Sequence, residues 1–173
     1  QERALSILAE RQTEAGGWSW FPGGRESWYI TQHIAAGFGH LDKLGAISAQ
    51  NDPRTADMWT KALQFCDGEV ERQYRELELA VQKGQTKWED DHLDGLVIHY
   101  LYARSFAGLD RGNNVVQYYL GQAEKYWLGK GLYQEGMLAL ALQRAGRPEA
   151  AQRIVASLRE RATMKEELGM YWP

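Results

Sequence analysis

The chain has 173 residues, a formal net charge of −3, 44% apolar residues and 25% charged residues. That length suits one domain, and that apolar content excludes a disordered chain. The single cysteine excludes a disulfide scaffold; the acidic balance argues against nucleic acid as a partner, and no run approaches the roughly 18 apolar residues of a membrane span.

Leu and Ala together number 39, against 18 for Val, Ile and Thr. Helix formers therefore dominate, and the expected class is all-α. Residues 1 to about 12 read as the first helix, with Ala4, Leu5, Leu8 and Ala9 at helical spacing. Gly16-Gly17-Trp18-Ser19-Trp20-Phe21-Pro22-Gly23-Gly24 follows as a loop. The second helix is expected from about Glu26 to Leu44, on a stripe of Ile30, Ile34, Phe38, Leu41 and Leu44, with Gly45 as its cap. Asn51-Asp52-Pro53 opens a third helix, with Asp52 as N-cap and Pro53 in its first turn. Its apolar face runs through Met58, Trp59, Ala62, Leu63 and Cys66, then Val70, Tyr74, Leu77 and Val81. This predicts one helix of roughly 30 residues, with a kink near Gly68 and a solvated, charged second half.

A fourth helix is expected to begin near Asp90-Asp91, with Leu93, Leu96, Val97, Tyr100 and Leu101 on one face. A fifth starts near Gly112, with Val116, Tyr119, Leu120, Ala123 and Trp127 inward. A sixth covers about Leu132 to Ala145. Pro148 opens the seventh, whose face is Ile154, Val155 and Leu158. The tail from about Thr163 has no assignment. Seven helices on short loops imply antiparallel hairpins, and their uneven lengths favour an α/α array over a four-helix bundle.

Gln12, Gly16 and Trp18 form Gln-x-x-x-Gly-x-Trp behind the first helix. A Gln at a helix end can bond exposed backbone groups, the Gly permits a tight turn, and the Trp can lie over that turn. The motif resembles the Gln-Trp repeat of terpenoid-cyclase α/α toroids. The wider stretch is more specific. Leu8-Ala9-Glu10-Arg11-Gln12, Gly16-Gly17-Trp18-Ser19-Trp20-Phe21 and Ser27-Trp28-Tyr29-Ile30-Thr31 resemble the thioester-domain region of alpha-2-macroglobulins, most of all bacterial members. Gly39-His40-Leu41-Asp42-Lys43-Leu44-Gly45 continues the likeness, whereas Ala15 stands where the family often has Asp. The similarity is strongest over about residues 5 to 45.

The resemblance implies that residues 1–173 are one partial α/α toroid, a fragment of a larger multidomain protein. It also implies a protease trap in the bacterial cell envelope or periplasm. Proteases and other domains of the same polypeptide would be its partners. The family's thioester motif, Cys-x-Glu-Gln, is not matched at Cys66, which precedes Asp67, Gly68 and Glu69. On this reading the segment is scaffold rather than enzyme, with no catalytic, cofactor-binding or metal-binding residues. Gln12, Gly16, Trp18, Trp20, Trp28 and Thr31 would carry structural roles. The alternatives are an α/α-toroid enzyme acting on a polysaccharide or isoprenoid, and a helical protein-interaction module.

Other candidates have plain readings beside the chemical ones. Cys66 sits on an apolar stripe and reads as a buried structural thiol rather than a nucleophile. Glu89-Asp90-Asp91-His92 with Asp94 could ligate a metal or supply a general acid, but reads first as an acidic helix start. His33 and His40 lie seven residues apart, as do His92 and His99; a two-His metal clip on one helix uses i, i+4. Trp18, Trp20, Phe21 and Trp28 read as an aromatic brace before a carbohydrate platform.

Overall fold

Short polar side chains set where most of the helices begin. The computed structural model describes residues 2–47, 52–167 and 169–172. Its elements are α1 (Glu2–Arg11), α2 (Trp28–Lys43), α3 (Pro53–Gln82), α4 (Gly95–Arg104), α5 (Asn114–Tyr126), α6 (Leu132–Arg144) and α7 (Pro148–Arg161), then β1 (Thr163–Lys165) and β2 (Gly169–Tyr171). Ser27 accepts the Ile30 amide at the start of α2, and Asp52 accepts the Arg54 amide at the start of α3. Asp94 and Asn113 do the same for α4 and α5. Each side chain satisfies a backbone N–H that the helix itself leaves free. Asn51 lies outside the described residues.

The expected all-α class holds, with several local corrections. The fourth helix starts at Gly95, not near Asp90-Asp91. Asp90 instead accepts bonds from the Thr86 hydroxyl and the Lys87 amide, and Asp91 from the Leu93 amide and Lys130. Those carboxylates shape a loop, and Asp94 makes the cap. Likewise α5 opens after Asn113, not at Gly112. On α2 the buried face is Trp28, Thr31, Gln32, Ala35, Ala36, Phe38 and Gly39, while Leu41 and Leu44 are exposed. Two faces of α2 are covered, by α3 and by α4, so the buried arc is wider than one stripe and includes polar residues. Val155 is exposed on α7, where Ala150, Ala151 and Ile154 are buried. The unassigned tail is an antiparallel β1–β2 hairpin, and the Trp172 indole N–H pins it to the Leu158 carbonyl at 2.8 Å.

The long helix α3 is unbroken over its 30 residues and passes through Gly68 as helix. Its first half buries Met58, Trp59, Ala62, Leu63 and Cys66, and Val70 follows just past the middle. Its second half carries exposed pairs such as Arg72 with Glu69 and Glu76.

The helices alternate between two rows. Contacts run from α2 to α4 and from α4 to α6, making one row of even-numbered helices. The odd-numbered helices lie against it, α3 on α2 and α4, α5 on α4 and α6, and α7 on α6. Helix α4 is enclosed by its neighbours, and every residue from Val97 to Ala103 is buried. Apolar burial of this kind contributes on the order of 2 kcal/mol per large side chain. Two buried clusters result. One gathers α4, α5, α6 and α7 around Tyr100, Leu101, Tyr119, Leu138 and Ile154. The other holds Trp18, Ala35, Phe38, Met58, Trp59 and Leu63 beneath α1. Phe106 packs against both.

Candidate functional site

The segment joining α1 to α2 is tied to three helices. The Gln12 side-chain amide donates to the Gly16 carbonyl and to the Met58 carbonyl in α3, each at 2.9 Å. The Trp18 backbone N–H donates to the Thr31 hydroxyl in α2 at 2.9 Å, and its indole N–H donates to the Leu8 carbonyl in α1 at 2.8 Å. The Ser27 amide closes the loop on the Trp18 carbonyl at 2.8 Å. Gly16 has φ +90°, and a Cβ there would lie 2.4 Å from the Lys61 carbonyl oxygen. The turn therefore needs glycine for its backbone conformation and for its close approach to α3.

The other motif residues separate into buried and exposed. Thr31 is fully buried, and Trp28 is buried with its ring edge-on to Tyr100 at 6.5 Å. Trp20 is 62% exposed and stacks on Tyr29, ring centroids 5.7 Å apart. Phe21 is exposed beside it. Trp18, Trp20, Phe21 and Trp28 thus do not form one platform.

The histidines pair across helices rather than along them. His33 of α2 meets His99 of α4 edge-on, with centroids 4.1 Å apart. His40 of α2 accepts or donates at Nε2 with the Tyr102 hydroxyl at 2.7 Å. His92 Nε2 bonds the Lys87 carbonyl at 2.8 Å. Around the His33–His99 pair lies a cleft of about 600 Å³, walled by α2, α4 and the start of α6. Tyr29, Gln32, Asp94 and Tyr133 line it with the two imidazoles. Gln32 is 1% exposed, yet its Oε1 accepts no hydrogen bond from the described residues. Burial, and then the neighbouring His33, push the His99 pKa down to about 4; burial disfavours the charged imidazolium, so His99 is neutral at pH 7.

Sequence reading could not find this cleft. Its residues come from positions that are far apart in the chain; His40 lies two turns from His33 on α2, and His92, expected on one helix with His99, lies instead in the loop before α4. The only local signal was Gln32-His33 on an otherwise apolar helix face.

The remaining candidates are held by structural contacts. Cys66 is buried, which pushes its thiol pKa up and keeps it protonated. Next to it, Asp67 accepts bonds from the Tyr100 hydroxyl at 2.8 Å and from Arg104 at 3.1 Å. Burial raises the Asp67 pKa, and Arg104 opposes that rise. The 89–94 stretch is a braced loop: Lys125 and Tyr126 both donate to the Glu89 carbonyl, and Lys130 bonds Asp91 at 2.7 Å. Among the described residues, no three His, Cys, Asp or Glu side chains come together as a metal-binding group. No helix among the described residues is long and apolar enough to cross a membrane. No protein-family model, curated protein or solved structure matches the chain.

Proposed function

We propose that this chain is a non-catalytic scaffold segment of a bacterial alpha-2-macroglobulin-like protease trap, working in the cell envelope. The observation that carries the reading is the tie made by Gln12, Gly16, Trp18 and Thr31. The residues on which the resemblance rests are the ones that fasten α1, α2 and α3 together. They act on backbone groups, as a brace does. The alternation of even and odd helices in two rows is compatible with part of an α/α toroid. So is the groove of about 420 Å³ between α6 and α7, flanked by the exposed Leu140 and Val155, where a further helix pair would pack. The reading as a toroid enzyme calls for free carboxylates with raised pKa values. Among the described residues Asp67 is a carboxylate that burial raises, and it is engaged by Arg104 and Tyr100.

The trap reading is tested on the longer polypeptide it calls for. That protein is incubated with a general protease, and cleavage of a small peptide is compared with cleavage of a large protein. Surviving peptide cleavage with blocked protein cleavage is the expected result, because a trap hides the protease without touching its active site. Equal cleavage of both substrates overturns trapping.

A further inference from the structure

We propose that the cleft between α2, α4 and the start of α6 binds a neutral sugar, with the Tyr133 ring as its stacking face and the His99 imidazole as its hydrogen-bonding group. The cleft's volume, about 600 Å³, falls in the usual range for small-molecule sites. Tyr133 is 72% exposed, and among the described residues its ring meets no other ring and its hydroxyl makes no hydrogen bond. Tyr29 differs, being stacked on Trp20 at 5.7 Å and lying 4.3 Å from His33. Tyr133 therefore keeps an apolar ring face open to water, and the C–H face of a pyranose can cover such a ring while its hydroxyls reach polar neighbours.

His99 lines the same cleft and is 6% exposed. Neither of its ring nitrogens has a hydrogen-bond partner among the described residues, and neither is sealed from solvent. Burial keeps the ring uncharged down to about pH 4, so at neutral pH one nitrogen donates and the other accepts. A hydroxyl is the complementary group, because it too both donates and accepts; a quaternary ammonium can do neither. Two neighbours add to the set. His33 Nδ1 lies 3.0 Å from the Tyr29 carbonyl oxygen, which places the proton there and leaves Nε2 as an acceptor. Gln134 Oε1 accepts the Gly131 amide, and its Nε2 keeps its N–H groups free among the described residues. The charge balance calls for a neutral ligand. Among the described residues no Lys or Arg lines the cleft, and Asp94, its one carboxylate, already accepts from the Val97 amide and from Gln73. Hydrolysis of a glycosidic bond uses a pair of carboxylates, so the cleft is a place to bind a sugar and not to cut one. This inference stands whether or not the chain belongs to a protease trap.

The experiment titrates the chain by calorimetry with maltose, cellobiose and N,N′-diacetylchitobiose, and with choline as a cationic rival. At least one disaccharide should bind with a dissociation constant below roughly 1 mM. Tyr133→Ala should weaken it about fivefold, and Tyr133→Phe should keep it, because the ring face is what the sugar covers. Tyr133 is exposed, so its removal leaves the core intact. His99→Leu should weaken binding about tenfold through the lost hydrogen bonds. Phe21→Ala, an exposed ring outside the cleft, should leave affinity unchanged. The ring ¹⁵N signals of His99 should shift when the sugar is added. Absence of binding by all three disaccharides overturns the proposal. So does binding of choline alone, or equal disaccharide affinity in wild type and Tyr133→Ala.

Discussion

Gly16 and Gly23 share a left-handed backbone, φ +90° and +77°, but differ in their surroundings. A methyl at Gly23 meets nothing within 4 Å, whereas one at Gly16 runs into the Lys61 carbonyl. Gly23→Ala should therefore cost about 1 kcal/mol, the backbone penalty alone. Gly16→Ala should cost roughly 2–3 kcal/mol, because α3 must also give way. Urea midpoints of the two variants measure the difference. His99 makes a prediction in pH. Its folded pKa is about 4, against 6.5 for the free side chain. Between those values the unfolded chain binds the extra proton, so the contribution of His99 is complete above about pH 6.5 and fades as pH falls towards 4. Thermal melts from pH 7 to 4 should lose Tm faster in the wild type than in His99→Gln. At this scale the turn bond from Gln12 to Gly16 was legible, because it spans four positions. The bond from Gln12 to Met58 was not, and neither was the His33–His99 contact, since both depend on how helices dock.

Helix α3 shows two kinds of helical stability along one element. Leu63 is buried in its first half, and Leu63→Ala should cost about 2–5 kcal/mol through lost burial and the cavity it leaves. Arg72 in the second half bonds Glu69 and Glu76 with more than half of its side chain in solvent. Arg72→Ala should cost less than about 1 kcal/mol, because exposed ion pairs are screened. Chemical denaturation of both variants checks the ordering. The seven helices were readable from apolar spacing, and the starts of α3 and α7 from their prolines. The start of α4 was not, because Asp90, Asp91 and Asp94 are equally good caps by type, and only the fold engages the first two elsewhere. The burial of Ile98 and Tyr102 also escaped the stripe rule, which assumes one wet face, and α4 has none.

For the molecule as a whole, the joint between the two apolar clusters is Phe106. Its ring lies against Gly39 of α2, under the Arg144 guanidinium 4.0 Å from the ring centroid, and edge-on to Tyr102 at 5.2 Å. Phe106→Ala should cost about 3 kcal/mol and also loosen the coupling between the clusters. Hydrogen exchange should then show amides of α1 and of the 12–27 loop opening more readily, relative to those of α4 and α6, than they do in the wild type. The two-row order of helices was not legible in the sequence, since short loops specify which helices follow one another and not that α2 meets α4 or α4 meets α6. The tie at Gln12 and Trp18 has a mechanical consequence. Force applied to α1 reaches α3 through the Met58 carbonyl and α2 through the Thr31 hydroxyl at the same moment. Neither bond lies inside a helix, so neither is relieved by stretching one. The three helix ends would bear a pull together and yield together, as a bolted joint does.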